Sequence, residues 1–291
     1  MCWSHDRNHA GTPRPSTSTD PILVLSGTGK TGSRIVDRLR GAGHEVRPAS
    51  RRSTPRFDWD DRRTWPGVLE GVSTVYLALP LTATPVAEFV DRAVASGVRR
   101  LVALSGRGAD HWKNGFGREM LDLEHAVRTS GVQWSIVRAS NFAQNFDEDV
   151  FYDLLVAGEL ALPVGGVPEP FIDVEDVADV AVTMLTSNDW VDRVVEVTGP
   201  EALTWDEAVA TIARAAGREV RFTDIPPEEY PAVLRSQGVP AADVHALETM
   251  FAELRRGLLT EPTDGVHQVL SRRPGTFADY AVRTAAAGAW S

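Results

Sequence analysis

The hexad Gly27-Thr28-Gly29-Lys30-Thr31-Gly32 follows an apolar run, Ile22-Leu23-Val24-Leu25, and precedes a helical pattern carried by Ile35, Val36 and Leu39. Strand, glycine turn and helix in that order are the setting in which G-x-G-x-x-G binds a dinucleotide. In that setting Gly27 is expected to allow the tight turn. Gly29 lets backbone approach a pyrophosphate, and Gly32 lets the helix lie close to the strand. The helix N-terminus presents free N–H groups and the positive end of its dipole to phosphate. A structural glycine turn is the alternative. Gly29-Lys30-Thr31 imitates the end of a P-loop, but that motif needs a glycine where Val24 stands inside the strand.

Apolar runs at 22–25, 45–49, 72–79 and 98–104 alternate with helical patterns at 32–42 and 85–96. Such alternation implies parallel strands joined by right-handed crossover helices, hence a Rossmann-type, doubly wound α/β sheet. The pattern continues with a helix over 117–130 stopped by Gly131, a strand over 134–138, a helix over 174–186 led by Asp173, and a strand over 194–197. Thr204-Trp205-Asp206-Glu207 has the form of a capping box. Past about residue 200 the chain reads as mostly helical, with joints at Pro226-Pro227, Pro231, Pro240 and Pro262. The expected organisation is a polar tail over 1–19, a dinucleotide-binding core over 20–140 and 173–198, and a smaller, mostly helical cap from 141–172 and 199–291. Ligands of open α/β sheets bind at the carboxyl ends of the strands, under such a cap.

A net charge of −10 argues against sequence-independent nucleic-acid binding, which positive charge drives. A single cysteine, Cys2, leaves no intrachain disulfide. No stretch reaches the roughly 18 apolar residues of a membrane span, and the tail has no apolar core of a secretory signal. The expected setting is cytoplasmic and the expected partner a small molecule, with neither nucleic acid nor membrane.

No acid stands about 20 residues past the glycine motif, where NAD-selective sites bind the ribose 2′-hydroxyl. Ser50-Arg51-Arg52 stands there instead, and Arg51 is placed to pair with a 2′-phosphate. This favours NADP(H) over NAD(H); a solvated basic turn is the other reading.

Beyond the hexad, the stretches SGTGKTGSRIVDRLRGAGHEV, FDWDD, GVSTVYLALP, RTSGVQWSIVRASNFAQNF, PFIDVEDVA, LTWDEAVATIARAAGREV and RRPGTFADYA occur in that order. With them the chain resembles the NmrA-like, atypical short-chain dehydrogenases/reductases over about residues 21–290, and within that group bacterial relatives of the ergot-alkaloid-type (festuclavine and agroclavine) dehydrogenases. The resemblance implies NAD(P)H binding and a cap built from late segments. It takes Phe57-Asp58-Trp59 as a third strand, with Asp58 near the adenine amino group unless it is a plain turn residue. It brings Leu79-Pro80, Ser105-Gly106 and Ser140 to the ribose and nicotinamide. Ala139 departs from the proline usual in that group, which loosens the backbone before Ser140.

Typical short-chain dehydrogenases hold a Tyr-x-x-x-Lys pair that protonates a carbonyl oxygen as hydride arrives. This chain has two lysines, Lys30 and Lys113, and the residues four before them are Ser26 and Ala109. At the matching helix stand Phe116 and Met120. Hydride addition to an iminium carbon needs no proton donor, and quinone-like acceptors take protons from water, so orientation and water exclusion suffice. His111 is a candidate proton donor. Aromatic Trp112, Phe116, Phe142, Phe146, Tyr152 and Phe171, with Asn141 and Asn145, are expected around the mouth, suiting a hydrophobic or polycyclic ligand; core packing is their other reading. The segment 162–168 reads as a glycine-hinged lid or a connecting loop. The resulting expectation is an NAD(P)H-dependent oxidoreductase acting on a conjugated, iminium or quinone-type molecule, plausibly in secondary metabolism. The alternatives are a cofactor-reading regulator and a cofactor-holding tailoring enzyme, for example an oxygenating one, on an aromatic natural product.

Overall fold

The computed structural model describes residues 20–80, 84–111, 116–236, 238–239 and 241–291, without the side chains of 116, 241–243 and 246. The tail over 1–19, Trp112 and the Phe116 side chain therefore lie outside the described residues.

In chain order the elements are β1 (Ile22–Leu25), α1 (Lys30–Gly41), β2 (Val46–Ala49), α2 (Trp65–Leu69), β3 (Thr74–Leu77), α3 (Val86–Ala95), β4 (Arg100–Gly106), α4 (Phe116–Thr129) and β5 (Gln133–Ala139). Then come α5 (Tyr152–Ala157), β6 (Glu159–Leu162), α6 (Val174–Thr186), β7 (Arg193–Val197), α7 (Trp205–Ala216) and β8 (Arg221–Asp224). The last helices are α8 (Tyr230–Ser236), α9 (Ala241–Leu254), α10 (Gly265–Leu270) and α11 (Phe277–Ala286).

Six strands form one parallel sheet in the order β2-β1-β3-β4-β5-β7. β1 is buried throughout, as a strand covered on both faces must be. Leu23, Leu25, Val75, Leu77, Leu101 and Ile136 turn to one face and pack with Phe89 of α3 and Leu123 of α4. Val24, Tyr76, Val102 and Val137 turn to the other, against Ile35 and Leu39 of α1 and Val177 and Ala181 of α6. The chain leaves β1 for β2 on one side and resumes with β3 on the other. The C-terminal ends of β1 and β3 thus flank the topological switch point, where such sheets take their ligands.

One sequence expectation is corrected. Phe57-Asp58-Trp59 is not a third strand. Phe57 N donates to the Ser50 carbonyl at 2.9 Å, but Asp58 N meets Thr64 Oγ1 at 3.0 Å and the Asp58 carbonyl accepts from Trp65 Nε1 at 3.0 Å. Side chains, not a neighbouring strand, satisfy this backbone. Past residue 200 the chain is mostly helical, as read from sequence; β8 there pairs in parallel with β6, from Glu159 opposite Arg221 to Leu162 opposite Asp224.

The cap has its own core around Phe146, Phe171, Trp205, Phe251, Phe277 and Trp290. The capping box at Thr204 and Glu207 is present as read from sequence. α10 packs on α6 and β7, burying Val266 with the sheet rather than the cap. Among the described residues no helix is long and apolar enough to cross a membrane.

Candidate dinucleotide and acceptor site

β1 ends at Leu25 and the chain turns at Ser26, whose φ of +54° lies in the left-handed region that favours glycine. The sequence reading put that demand on Gly27. Gly27 is needed for space instead: a Cβ there would stand 2.7 Å from Pro48 Cβ in β2. The Ser26 hydroxyl ties the turn to the end of β3, donating to the Ala78 carbonyl at 3.2 Å. A Cβ on Gly32 would stand 2.1 Å from the Ser26 carbonyl oxygen, so this glycine lets α1 seat on the turn. Thr28 and Gly29 are exposed. Gly29 is the N-cap of α1, with no side-chain cap and no acid in the first turn. α6, α7 and α11, by contrast, are capped by Asp173, Thr204 and Thr276. An uncapped helix N-terminus beside a bare glycine fits a dinucleotide pyrophosphate.

At the end of β2 the Ser50 N–H donates to Ser53 Oγ at 2.7 Å. Arg47 is held by the carbonyls of Val68 and Glu70, and Arg56 by Asp58 at 2.7 Å. Arg51 is exposed and its guanidinium has no partner among the described residues. Asp58 folds into a local turn, accepting from Asp60 N at 3.2 Å as well as from Arg56. Trp59 is buried, its ring edge-on to Phe57 and Phe89. Leu79 and Pro80, just past β3, are half-buried.

The ends of β4, β5 and β7 carry a closed set of charges. Ser105 Oγ donates to Glu124 Oε1 at 2.7 Å. Arg138 donates to both oxygens of Glu124 and forks onto Asp110 at 2.7 and 2.9 Å. These hydrogen bonds, Glu124's foremost, raise Arg138 above the ordinary guanidinium range, and Arg138 in turn lowers Asp110. His111 is exposed next to Asp110. Gly106 N lies 3.0 Å from Met120 Sδ, which fills the space beside the end of β4. Thr31 and Ser140 are also engaged inward: Tyr76 OH donates to Thr31 Oγ1 at 3.1 Å, and Ser140 Oγ donates to the Pro170 carbonyl at 2.6 Å.

The strap over 141–149 crosses from β5 to the glycine turn. Lys30 Nζ donates to Asn145 Oδ1 at 2.6 Å and to Asp149, and lies 5.8 Å from the centre of the Phe142 ring. Asn145 Nδ2 donates to Asn141 Oδ1 at 2.8 Å. Asn141, Phe142 and Asn145 are half-buried here, and Tyr152 is exposed on α5. Phe146 and Phe171 are buried in ring-to-ring contact with each other and with Trp205, in the cap core. Of the segment 162–168, Val164 is buried, and Asp224 Oδ1 accepts from both Val164 N and Gly165 N at 3.0 Å. That pinning is the arrangement of a connecting loop.

Sequence reading missed Glu124, Arg107, Glu196 and Glu169. Glu196 had a faint signal, a charged residue within the otherwise apolar run 194–197, which demands a partner; Glu124 and Arg107, among polar and glycine neighbours, had none. Glu169, between Pro168 and Pro170, had none.

A parallel sheet with its switch point beside an uncapped, glycine-fronted helix defines a dinucleotide-binding α/β protein. Residues 27–188 match the NAD(P)H-binding family, and the chain belongs to that family. The chain is 32% identical to an NAD(P)H azoreductase of Xenophilus azovorans over 284 residues, covering 91% of this chain and 98% of that protein. It is 29% identical to an agroclavine dehydrogenase of Claviceps fusiformis over 287 residues, covering 89% and 95%. An NADPH-dependent quinone oxidoreductase from Escherichia coli, solved with NADPH, shares the fold with a TM-score of 0.77 at 18% identity, over 90% of this chain and 99% of that one. The protein is an oxidoreductase.

Proposed function

We propose that this oxidoreductase uses NADPH in preference to NADH to reduce extended, unsaturated small molecules, and that it does so without a Tyr-x-x-x-Lys pair. The observation that carries the reading is the uncapped α1 N-terminus with the free Arg51 cation at the neighbouring strand end. Gly27, Gly29, Gly32 and the first turn of α1 would hold the pyrophosphate, bordered by Thr28 and Lys30. Ser50 and Arg51 would take the 2′-phosphate, a charge-assisted pairing that NADH cannot make. Asp58 would border the adenine; Leu79, Pro80 and Gly106 would border the ribose and nicotinamide. When bound, the dinucleotide supplies a hydride.

The residues of this chain supply placement and exclusion of water. Asn141, Phe142, Asn145 and Tyr152 would border the acceptor. Phe146 and Phe171 act behind them, as packing that fixes the strap. The relatives named as an azoreductase and a quinone oxidoreductase support acceptors with extended unsaturation.

Calorimetric titration with NADPH, NADP⁺, NADH and NAD⁺ tests the cofactor half, with NADPH expected at least about tenfold tighter than NADH. NADPH oxidation with a panel of quinones, azo dyes and cyclic iminium ions tests the acceptor half. Tight binding with no turnover on any acceptor would replace this reading with a sensor of cofactor state.

A further inference from the structure

Glu169 lies in the seam between sheet and cap. Its backbone pairs with Leu203, just before α7, at 2.8 and 3.1 Å. The next residue, Pro170, accepts from Ser140 Oγ after β5 at 2.6 Å and from Gly199 N after β7 at 3.2 Å. The backbone of Glu169 is therefore held at the C-terminal ends of β5 and β7, on the side of the sheet that receives ligands.

Glu169 is 8% exposed. Oε1 accepts from Asn141 N at 3.4 Å, and Oε2 has no partner among the described residues. Oε2 is nevertheless not sealed in, because the sealed, unpartnered side-chain polar atoms among the described residues are Thr84 Oγ1 and Trp205 Nε1. This oxygen therefore borders unfilled space at the seam. Of the charges at these strand ends, Arg107 acts on the carboxyl but is engaged by Glu196 Oε2 at 3.2 Å and by the Leu259 carbonyl at 2.7 Å. Arg138 is held by Glu124 and Asp110, and Lys30 by Asn145 and Asp149. Burial accordingly pushes the carboxyl up to about 7, against the downward pull of the Asn141 N–H and of Arg107. A chain of hydrogen bonds joins it to the glycine turn: Lys30 Nζ to Asn145 Oδ1, Asn145 Nδ2 to Asn141 Oδ1, and Asn141 N to Glu169 Oε1.

We propose that Glu169, through Oε2, donates the proton that neutral acceptors require, taking the part of the Tyr-x-x-x-Lys pair that this chain lacks; this rests on the reductase reading above. A quinone that accepts a hydride from the reduced nicotinamide gains two electrons and needs one proton. The Oε2–H bond breaks, the proton goes to the quinone oxygen that received the electron pair, and the bonding pair stays on the carboxylate. Solvent then returns a proton to Glu169. The products are a hydroquinone and the oxidised dinucleotide. A cationic acceptor, such as a triarylmethane carbocation or an iminium ion, becomes neutral on taking the hydride and needs no proton.

The test uses the full chain and Glu169→Gln, an isostere that keeps an oxygen for the Asn141 N–H. The measured quantity is the ratio of kcat with a neutral naphthoquinone to kcat with a cationic triarylmethane dye. Loss of a general acid is expected to lower that ratio about a hundredfold, and the wild-type naphthoquinone rate is expected to decline above about pH 7. Independently of turnover, ¹³C NMR of protein labelled at the glutamate carboxyls is expected to show one group with a midpoint near 7 that is missing in Glu169→Gln. Glu169→Asp, which keeps an acid, is expected to restore part of the ratio. An unchanged ratio in Glu169→Gln, or no glutamate titrating above its ordinary range, overturns this assignment while leaving the reductase reading intact. A wild-type protein that binds NADPH and reduces neither acceptor overturns both.

Discussion

α1 and α6 lie side by side on one face of the sheet and both run away from the C-terminal strand ends, yet their N-termini are built in opposite ways. α6 is closed by its own side chains. Asp173 caps it, accepting from Glu175 N at 3.0 Å, and also accepts from Gln144 Nε2 at 2.8 Å and from Arg283 at 2.6 Å. Asp176 in its first turn accepts from Arg272 at 2.5 Å and from Gly275 N at 2.7 Å. α1 has a glycine at the same place and no acid. Both helix dipoles point their positive ends to the same edge of the sheet. One end is neutralised from within the chain and the other is left for an anion from outside, so the difference marks the ligand side more sharply than the glycine pattern alone.

The largest expected departure concerns Glu169, a buried acid near α6 that no cation touches. Between its ordinary 4.5 and about 7 the native state keeps a proton that the unfolded chain has released. Unfolding free energy should therefore fall as pH rises through that window, by about 3 kcal/mol in all, and stay low above it. Glu169→Gln should remove the fall, as read from urea midpoints at roughly pH 5 and pH 8. Next in size, Gly29→Asp would give α1 the cap it lacks. Its extended backbone suits any residue, and a Cβ would stand 3.2 Å from the Ser26 carbonyl oxygen, so the gain of a cap is offset and stability should change by less than about 1 kcal/mol, while NADPH affinity should drop at least about a hundredfold (~2.7 kcal/mol) through repulsion of phosphate. Retained affinity would show that the pyrophosphate lies elsewhere.

The reciprocal change, Asp173→Ala, should cost about 2 kcal/mol of stability, the upper end for an N-cap. It should leave NADPH affinity within about twofold in calorimetry. Arg51→Ala should weaken NADPH about tenfold (~1.4 kcal/mol) and leave NADH unchanged; equal loss for both would remove the 2′-phosphate assignment. The smallest effect is expected of Thr204→Ala, which opens the capping box of α7 far from the dinucleotide and should lower stability by about 1 kcal/mol without touching binding.

The sheet was legible because each of its strands has a local cause. Ile22–Leu25 and Gln133–Ala139 are apolar runs bounded by turn residues, and α1 and α3 repeat apolar residues at helical spacing. β6 and β8 escaped because each is short and pairs with a partner remote in sequence, which leaves no local periodicity. The triplet Phe57-Asp58-Trp59 misled for a different reason: its two rings are wanted by Trp65 and Phe89, not by a strand neighbour. In the site, the backbone features were legible and the side-chain commitments were not. Sequence shows a glycine that spares space but not that Ser105, Thr31 and Ser140 spend their hydroxyls inward. Nor does it show that Phe146 and Phe171 turn into the cap core rather than toward a mouth.

The placement of α10 has a mechanical consequence. Val266 is buried with β7 and α6, while α9 before it and α11 after it belong with the cap core. Together with the strap out of β5, the return into α6 and the exit from β7, this stitches cap to sheet along several separate lines. A door sewn to its frame at several places does not swing about one axis. The mutual setting of cap and sheet is thus fixed by folding.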